Sequence, residues 1–394
     1  MPSLLQRQAH DDLAAVGALT TMLWRDLPPA GNPIALAVTK APPPEFPGYR
    51  ATYVNSGTAA LALALIAARE RAGVERPEVV LPGYACPDLV SAAVYAGVRP
   101  VLADIGGADP GYDLAALSAA LSASTVAVVA VNFLGIRERL PELRDLLHSR
   151  PQIALIEDDA QWFPEPVETL RGDAVCVSFG RGKPVSLLGG GALLLRDGIF
   201  NGFSAQTWLA PPQAAGAAYR WKVHAYNALL QPYAYGLLSR NPLLSLGSTV
   251  FKSLQGIRAL DAERSELVAG NCALHCARSQ RIAERLSAVL PAACDLPLQL
   301  RERSARLLRY PLLCADAAQR DALWQALRKA GLGATAMYRQ VLPEIDGVAA
   351  QVDVRGDLAG ARRFAATLLT LPVHGGVGDS DIARIGAIVK AFAA

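Results

Sequence analysis

The sequence predicts an α/β fold: a mostly parallel sheet flanked by helices, followed by a smaller C-terminal α+β domain. Three observations carry this expectation. Between residues 50 and 200, short and nearly continuous apolar runs alternate with helical patterns, as strands buried on both faces do. The chain has 394 residues, 52% hydrophobic and only 19% charged, which suits a sizeable core and two or three domains. From about residue 260 the pattern changes to long helical stretches with isolated strands.

In chain order, residues 1–24 read as a helix ending before Pro28 and Pro29, and a Pro-rich loop over 41–47 leads into the main domain. Strands are expected at 79–82, 100–104, 126–131, 153–157, 174–178 and 191–195. Helical periodicity fits 58–71, 114–121 and 140–147 between them. Residues 200–256 break this rhythm with aromatic residues and prolines and no clear strand. A helical pattern then runs from Leu260 to Val289, followed by a strand at 307–314, a helix at 318–330, a strand near 335–338 and a closing helix at 379–393. This divides the chain into an N-terminal helix and arm (1–48), a large domain that includes the irregular segment (49–256) and a small domain (257–394).

Composition excludes several classes of function. The net charge of +3, from 38 basic and 35 acidic residues, leaves no electrostatic footprint for nucleic acid. Nowhere do about 18 apolar residues follow one another, so no membrane-spanning helix is expected. The N-terminus lacks the basic start, apolar run and cleavage site of a signal peptide. Six cysteines, at 86, 176, 272, 276, 294 and 314, are scattered and partly apolar in context. They read as buried thiols of a cytoplasmic protein. Cys272, His275 and Cys276 supply three soft ligands on one helix without a second cluster, so a structural metal is not expected.

Chemistry concentrates in three places. The first is the stretch from Ala174 to Ala192, in which an apolar strand ends at Ser178 and Lys183 sits between two Gly-rich turns. Apolar surroundings favour a neutral amine, and a neutral, positioned amine is what a Schiff base with an aldehyde cofactor requires. A solvated loop lysine is the alternative reading. The chain has only six lysines against 32 arginines. The other five (Lys40, Lys222, Lys252, Lys329, Lys390) fall on polar helix faces, before the Pro-rich loop or in the irregular segment. The second place is Glu157-Asp158-Asp159, three acids at the end of a buried strand, where one needs a cationic partner. A protonated pyridine nitrogen is such a partner, and Gln161 lies within reach of the same ring. A metal-binding or capping cluster is the alternative, but the Gly-Lys-Ser phosphate loop that would accompany magnesium is missing. The third is Asn55-Ser56-Gly57-Thr58 at the start of an Ala/Leu helix, a phosphate site by virtue of free N–H groups and the helix dipole.

In order along the chain, SGTAALALAL, LPGYACPDLV, AGVRPVLADI, VNFLG, IEDDAQ, SFGRGK and LLTLPVH resemble the DegT/StrS-type aminotransferases. These are fold type I pyridoxal-phosphate enzymes that mostly aminate sugar nucleotides. The similarity covers residues 50–195 and resumes at 310–314, 331–338 and 371–374. It implies pyridoxal 5'-phosphate as cofactor, Lys183 as the Schiff-base lysine and Asp158 as the pyridine-nitrogen partner. Gln161 would contact the ring, and Gly57, Thr58 and Ser178 would hold the phosphate. It also implies an amino-acid donor, with L-glutamate expected, a carbonyl acceptor and a homodimer with sites at the subunit interface. Three positions depart from the family pattern. Cys86 stands where an aromatic usually stacks on the cofactor, and Asn132 replaces a histidine. The Gly-x-Asn-x-Arg loop has no clear match, with Asn227 and Asn241 the candidates for its asparagine. These departures keep two alternatives open: an apolar or non-sugar carbonyl acceptor, and a non-catalytic sensor or assembly partner on the same fold.

Overall fold

The computed structural model describes residues 25–39, 42–165, 170–239 and 249–393. The helix expected over 1–24, together with Lys40 and Asn241, lies outside the described residues.

The apolar runs pair into one eight-stranded sheet. Its strands are β1 (Tyr49–Val54), β2 (Glu78–Pro82), β3 (Arg99–Ala103), β4 (Thr125–Val131), β5 (Ala154–Asp159), β6 (Ala174–Ser178), β7 (Gly191–Arg196) and β9 (Asp353–Val354). The spatial order is β1-β7-β6-β5-β4-β2-β3-β9. β2 to β6 and β9 run parallel, and β7 is antiparallel to both β1 and β6. The crossover helices include α1 (Gly57–Ala72), α2 (Asp88–Tyr95), α3 (Leu114–Ala120) and α4 (Leu140–Leu147). Side chains alternate along each strand. Val79, Leu81, Val129, Ile156 and Cys176 pack on the α1 face. Val80, Val128 and Leu155 pack with Leu117, Leu140 and Leu143 on the other. Both faces are therefore apolar, which explains why the strands read as continuous runs rather than alternating ones. α1 is enclosed between the sheet and α2; its residues 59–68 are all buried, so it shows almost no amphipathic stripe.

The remainder builds a second, smaller core. β8 (Tyr310–Leu313) and β10 (Leu368–Leu371) form an antiparallel pair. Against it pack α8 (Arg281–Val289), α10 (Ala317–Lys329) and α12 (Asp379–Ala393) through Leu286, Leu323, Leu327, Ile382 and Ile385. α9 (Leu296–Gln299) precedes β8 and α11 (Ala359–Thr367) precedes β10.

Several expectations at the level of elements are corrected. The helical stretch from Leu260 to Val289 is two helices, α7 (Ala262–Cys276) and α8, because the chain leaves the helix after Cys276 and restarts at Arg281. Residues 335–338 form no strand; Thr335 makes a single bridge to Thr370. The irregular segment holds two helices, α5 (Tyr219–Leu229) and α6 (Pro232–Ser239). Their aromatic-rich exposed faces hide the helical period. β1, β9, β10, α2 and α11 carry no sequence signal strong enough to be expected, since short strands and helices of this kind are set by pairing partners. Among the described residues, no helix is long and apolar enough to cross a membrane.

Candidate active site

Ligands of doubly wound sheets gather at the carboxyl ends of the parallel strands, and these ends converge here on one cavity. It is lined by Gly57 and Thr58 of α1, Cys86 after β2, Asp158 and Gln161 after β5, Ser178 at the end of β6 and Lys183 in the β6–β7 turn. All seven residues singled out in the sequence thus face a common space.

Local structure accounts for each position. Alternation along β5 separates the three acids. Asp158 follows Ala154 and Ile156 onto the α1 face, whereas Glu157 and Asp159 turn to the other side. Asp158 is buried and accepts the Ala160 N–H at 3.0 Å. Burial raises its pKa, while that hydrogen bond and the Lys183 charge lower it and Asp88 raises it. Glu157 accepts the N–H groups of Arg171 (2.7 Å) and Gly172. Asp159 accepts from the Asn132 amide. Burial, with Glu157 as neighbour, holds the Asp159 carboxyl well above the usual carboxylate range. Neither of these two acids lines the cavity.

The start of α1 is a tight fit. Ser56 caps the helix by accepting the Ala59 N–H at 3.0 Å, and the first-turn N–H groups of Gly57 and Thr58 have no partner inside the helix. A Cβ on Gly57 would lie 2.6 Å from Ser178 Cβ and 2.9 Å from its Oγ. Glycine at 57 therefore lets the helix terminus and the Ser178 hydroxyl form one cradle. The Lys183 turn begins where the Phe179 N–H donates to Gly190 O (2.9 Å) and is pinned by Asn32, whose amide donates to the Lys183 and Pro184 carbonyls (3.2 and 3.1 Å). At Gly190, φ is +93° and a Cβ would meet Leu260 at 2.7 Å, so this turn closes only with glycine.

Gln161 is held at both ends: Oε1 accepts the Leu134 N–H at 3.0 Å and Nε2 donates to the Tyr338 hydroxyl at 3.2 Å. Burial pushes the Cys86 thiol up to about 11, which keeps it neutral. Tyr338 and Asp88 also line the cavity, and the sequence singled out neither. Tyr338 lies beyond α10 and packs on the large-sheet cluster, edge-on against Tyr84 with ring centroids 5.7 Å apart. It also adopts φ of +42°, unusual for a bulky residue. Its place in the 331–338 stretch was the only available signal. Asn132 lies behind the cavity wall, tying Asp159 to the Glu138 N–H (2.9 Å). Asn227 pins the chain at Ile34, accepting its N–H at 2.9 Å and donating to its carbonyl at 2.8 Å.

Taken together, a lysine in a turn, a buried carboxylate at a strand end and a helix-terminus cradle define a pyridoxal-phosphate enzyme of fold type I. The cradle that a Cβ would fill and the half-satisfied Asp158 carboxylate fit that cofactor. The sequence profile of the DegT/DnrJ/EryC1/StrS aminotransferase family matches residues 48–202 and 272–390. The chain belongs to this family. It is similar to protein MosB of Rhizobium meliloti, 31% identical over 199 residues, which are 49% of this chain and 37% of that protein. The chain thus matches little more than a third of that relative's length. Among solved structures, it resembles the PLP-form of the putative sugar aminotransferase Spr1654 from Streptococcus pneumoniae (TM-score 0.64, 17% identity, 87% of this chain and 86% of that one). It also resembles DesI in the presence of its TDP-sugar product (TM-score 0.61, 20% identity, 87% and 80% coverage). At these identities the likeness speaks for the fold.

Proposed function

We propose that the protein moves an amino group from an amino acid, L-glutamate, to the carbonyl carbon of a keto-sugar nucleotide or a related compound. The observation that carries this reading is that Lys183 and Asp158 face one cavity from opposite elements, with the Gly57–Ser178 cradle beside them. When bound, the cofactor supplies an aldehyde carbon and a ring that stores an electron pair. The chain's own groups do the rest. Lys183 Nζ would hold the aldehyde until the donor's amine displaces it, and the freed amine would then carry the proton leaving the donor's α-carbon, a base placed on a braced turn. Asp158, enclosed with one oxygen already satisfied, offers the other to a protonated ring nitrogen. Gly57, Thr58 and Ser178 would hold the phosphate, and Gln161 and Cys86 would lie against the ring.

Borohydride reduction followed by peptide mapping tests the lysine: the pyridoxyl label is expected on Lys183, and a label on any other lysine overturns the assignment. The absorbance spectrum of the holoenzyme should change on addition of L-glutamate, releasing a 2-oxo acid.

A second acceptor class is favoured by a specific feature. A neighbouring cavity of about 830 Å³ includes Trp324, Val250, Met337 and Ile345 in its wall, so an apolar ketone or aldehyde is the alternative to a nucleotide sugar. The sugar reading is supported by relatives such as DesI, whose structure was solved in the presence of a TDP-sugar product. Offering the amino-loaded enzyme both classes decides between them; return of the original spectrum with apolar carbonyls alone removes the sugar. We further read the protein as a cytoplasmic homodimer. All six cysteines are free thiols, as a reducing compartment would keep them.

A further inference from the structure

The cofactor cavity and the neighbouring cavity of about 830 Å³ share Cys86, Asp88 and Tyr338. A substrate whose reacting carbon reaches Lys183 and whose body fills the larger space therefore passes Asp88. This residue is the first of α2, and it is exposed. Among the described residues its carboxylate has no hydrogen-bond or ion-pair partner, and no side chain caps α2. Two neighbours register the position of its charge. Burial raises both the Cys86 thiol and the Asp158 carboxyl, Asp88 adds to the rise in each, and Lys183 opposes it in each. The Asp88 charge thus acts inside the cavity, on the same groups as the Lys183 amine.

Of the described residues lining the larger cavity, Asp88 is the one acid, whereas Lys252, Arg309 and Arg339 place positive charge elsewhere on the wall. An anionic group of a substrate is repelled by Asp88 and drawn to those cations. A cationic group meets three like charges for one opposite charge. A hydroxyl suits the carboxylate best: it donates a hydrogen bond without carrying net charge, and the two oxygens can accept from neighbouring hydroxyls. An apolar ketone in the same place strips water from the carboxylate and returns no donor, which is the costly arrangement. We propose that Asp88 is the specificity-determining residue for the acceptor, its carboxylate accepting hydrogen bonds from hydroxyls on the carbons next to the carbonyl. This role rests on the amino-transfer reading above and selects between its two acceptor classes, hydroxylated ketones over apolar ones.

The test uses enzyme loaded directly with the amino form of the cofactor and offers it two matched pairs of ketones. One pair is 2-hydroxycyclohexanone and cyclohexanone; the other is a TDP-linked keto-sugar and its analogue lacking the hydroxyl beside the carbonyl. In whichever pair reacts, the wild type should prefer the hydroxylated member about 30-fold in kcat/KM, as expected for a hydrogen bond to a charged group. Asp88→Ala should lose that preference by slowing the hydroxylated member alone. Asp88→Asn, which keeps the shape and an acceptor oxygen without the charge, should fall between and carries the test if the alanine variant does not fold. General loss of packing would slow both members together. Equal slowing of both, a wild type without preference, or reaction with cyclohexanone and not its hydroxylated partner overturns the proposal. Where no ketone reacts, calorimetry with TDP-glucose, which has no carbonyl, reads the same contact: binding weakened about tenfold in Asp88→Ala upholds it, and equal or absent binding overturns it. The donor half-reaction is read separately from the spectrum with L-glutamate. Asp88-dependent selection or binding in an enzyme that never reacts with L-glutamate leaves the role of Asp88 standing and removes the donor reading.

Discussion

Three neighbouring acids on β5 have three different environments, and one residue of register separates them. Asp158 shares the cofactor cavity with Lys183, whereas Asp159 is bonded to Asn132 and crowded by Glu157. Asp158→Ala should fold and yet lose amino transfer by roughly 10²-fold or more, because ring protonation would lose its counter-charge. Asp159→Ala should retain the chemistry. The opposite ranking in a steady-state assay would show that the cofactor meets the other face of the strand. Asp159 also has a pH signature. Its carboxyl is held above the unfolded value by burial, so the folded state keeps a proton that the unfolded state releases. Its contribution is complete below the unfolded pKa, and stability falls as pH rises from there through the folded value. Asp159→Asn removes that slope. Its melting temperature should match the wild type near pH 4 and exceed it near pH 8; a constant offset across that range would refute the account.

At the scale of elements, α1 and the Lys183 turn are coupled through contact distance. The α1 terminus comes so close to β6 that position 57 admits no side chain beyond hydrogen. Gly57→Ala must push Ser178 or the helix aside, at about 1–3 kcal/mol for overpacking. The expected result is cofactor affinity reduced by about tenfold or more with secondary structure intact. Equilibrium dialysis against pyridoxal phosphate reads this directly, and unchanged affinity would remove Gly57 from the phosphate site. Across the cavity, Tyr338 brings an aromatic ring to the wall on which Cys86 stands. Its hydroxyl is tied to Gln161 rather than to a helix of its own.

For the whole molecule, we keep the division into an arm (1–48), a large domain (49–256) and a small domain (257–394) as a proposal. β9, drawn from residues 353–354, extends the large sheet beside β3. α5 and α6 expose Trp221 (77%), Tyr233 (56%) and Leu237 (61%). Large apolar groups this open are usually covered by a partner surface, which supports the homodimer. Light scattering of the active protein should give twice the chain mass, and Trp221→Glu with Tyr233→Glu should shift it toward the monomer. An active wild-type monomer would rule the dimer out.

Much of this protein is legible in its sequence because the information is local. Continuous apolar runs of about five residues announce the buried parallel strands. Ser56-Gly57-Thr58 before an Ala/Leu helix announces an anion site, and a scarcity of lysines narrows the search for the reactive amine to Lys183. Local pattern also brings the acids at 157–159 to attention, but it leaves all three as neighbours of equal standing. Only the pairing of β5 between β4 and β6 decides which of them faces α1, because alternate side chains go to opposite faces and a shift of one residue exchanges them. The same holds for Tyr338. It lies in a stretch whose pattern reads as a strand, yet it meets Tyr84 and Gln161, far back along the chain, and reaches the cavity by packing on the large-sheet cluster. Neither spacing nor composition records such contacts, because they arise between segments more than a hundred residues apart and exist only once both cores have closed.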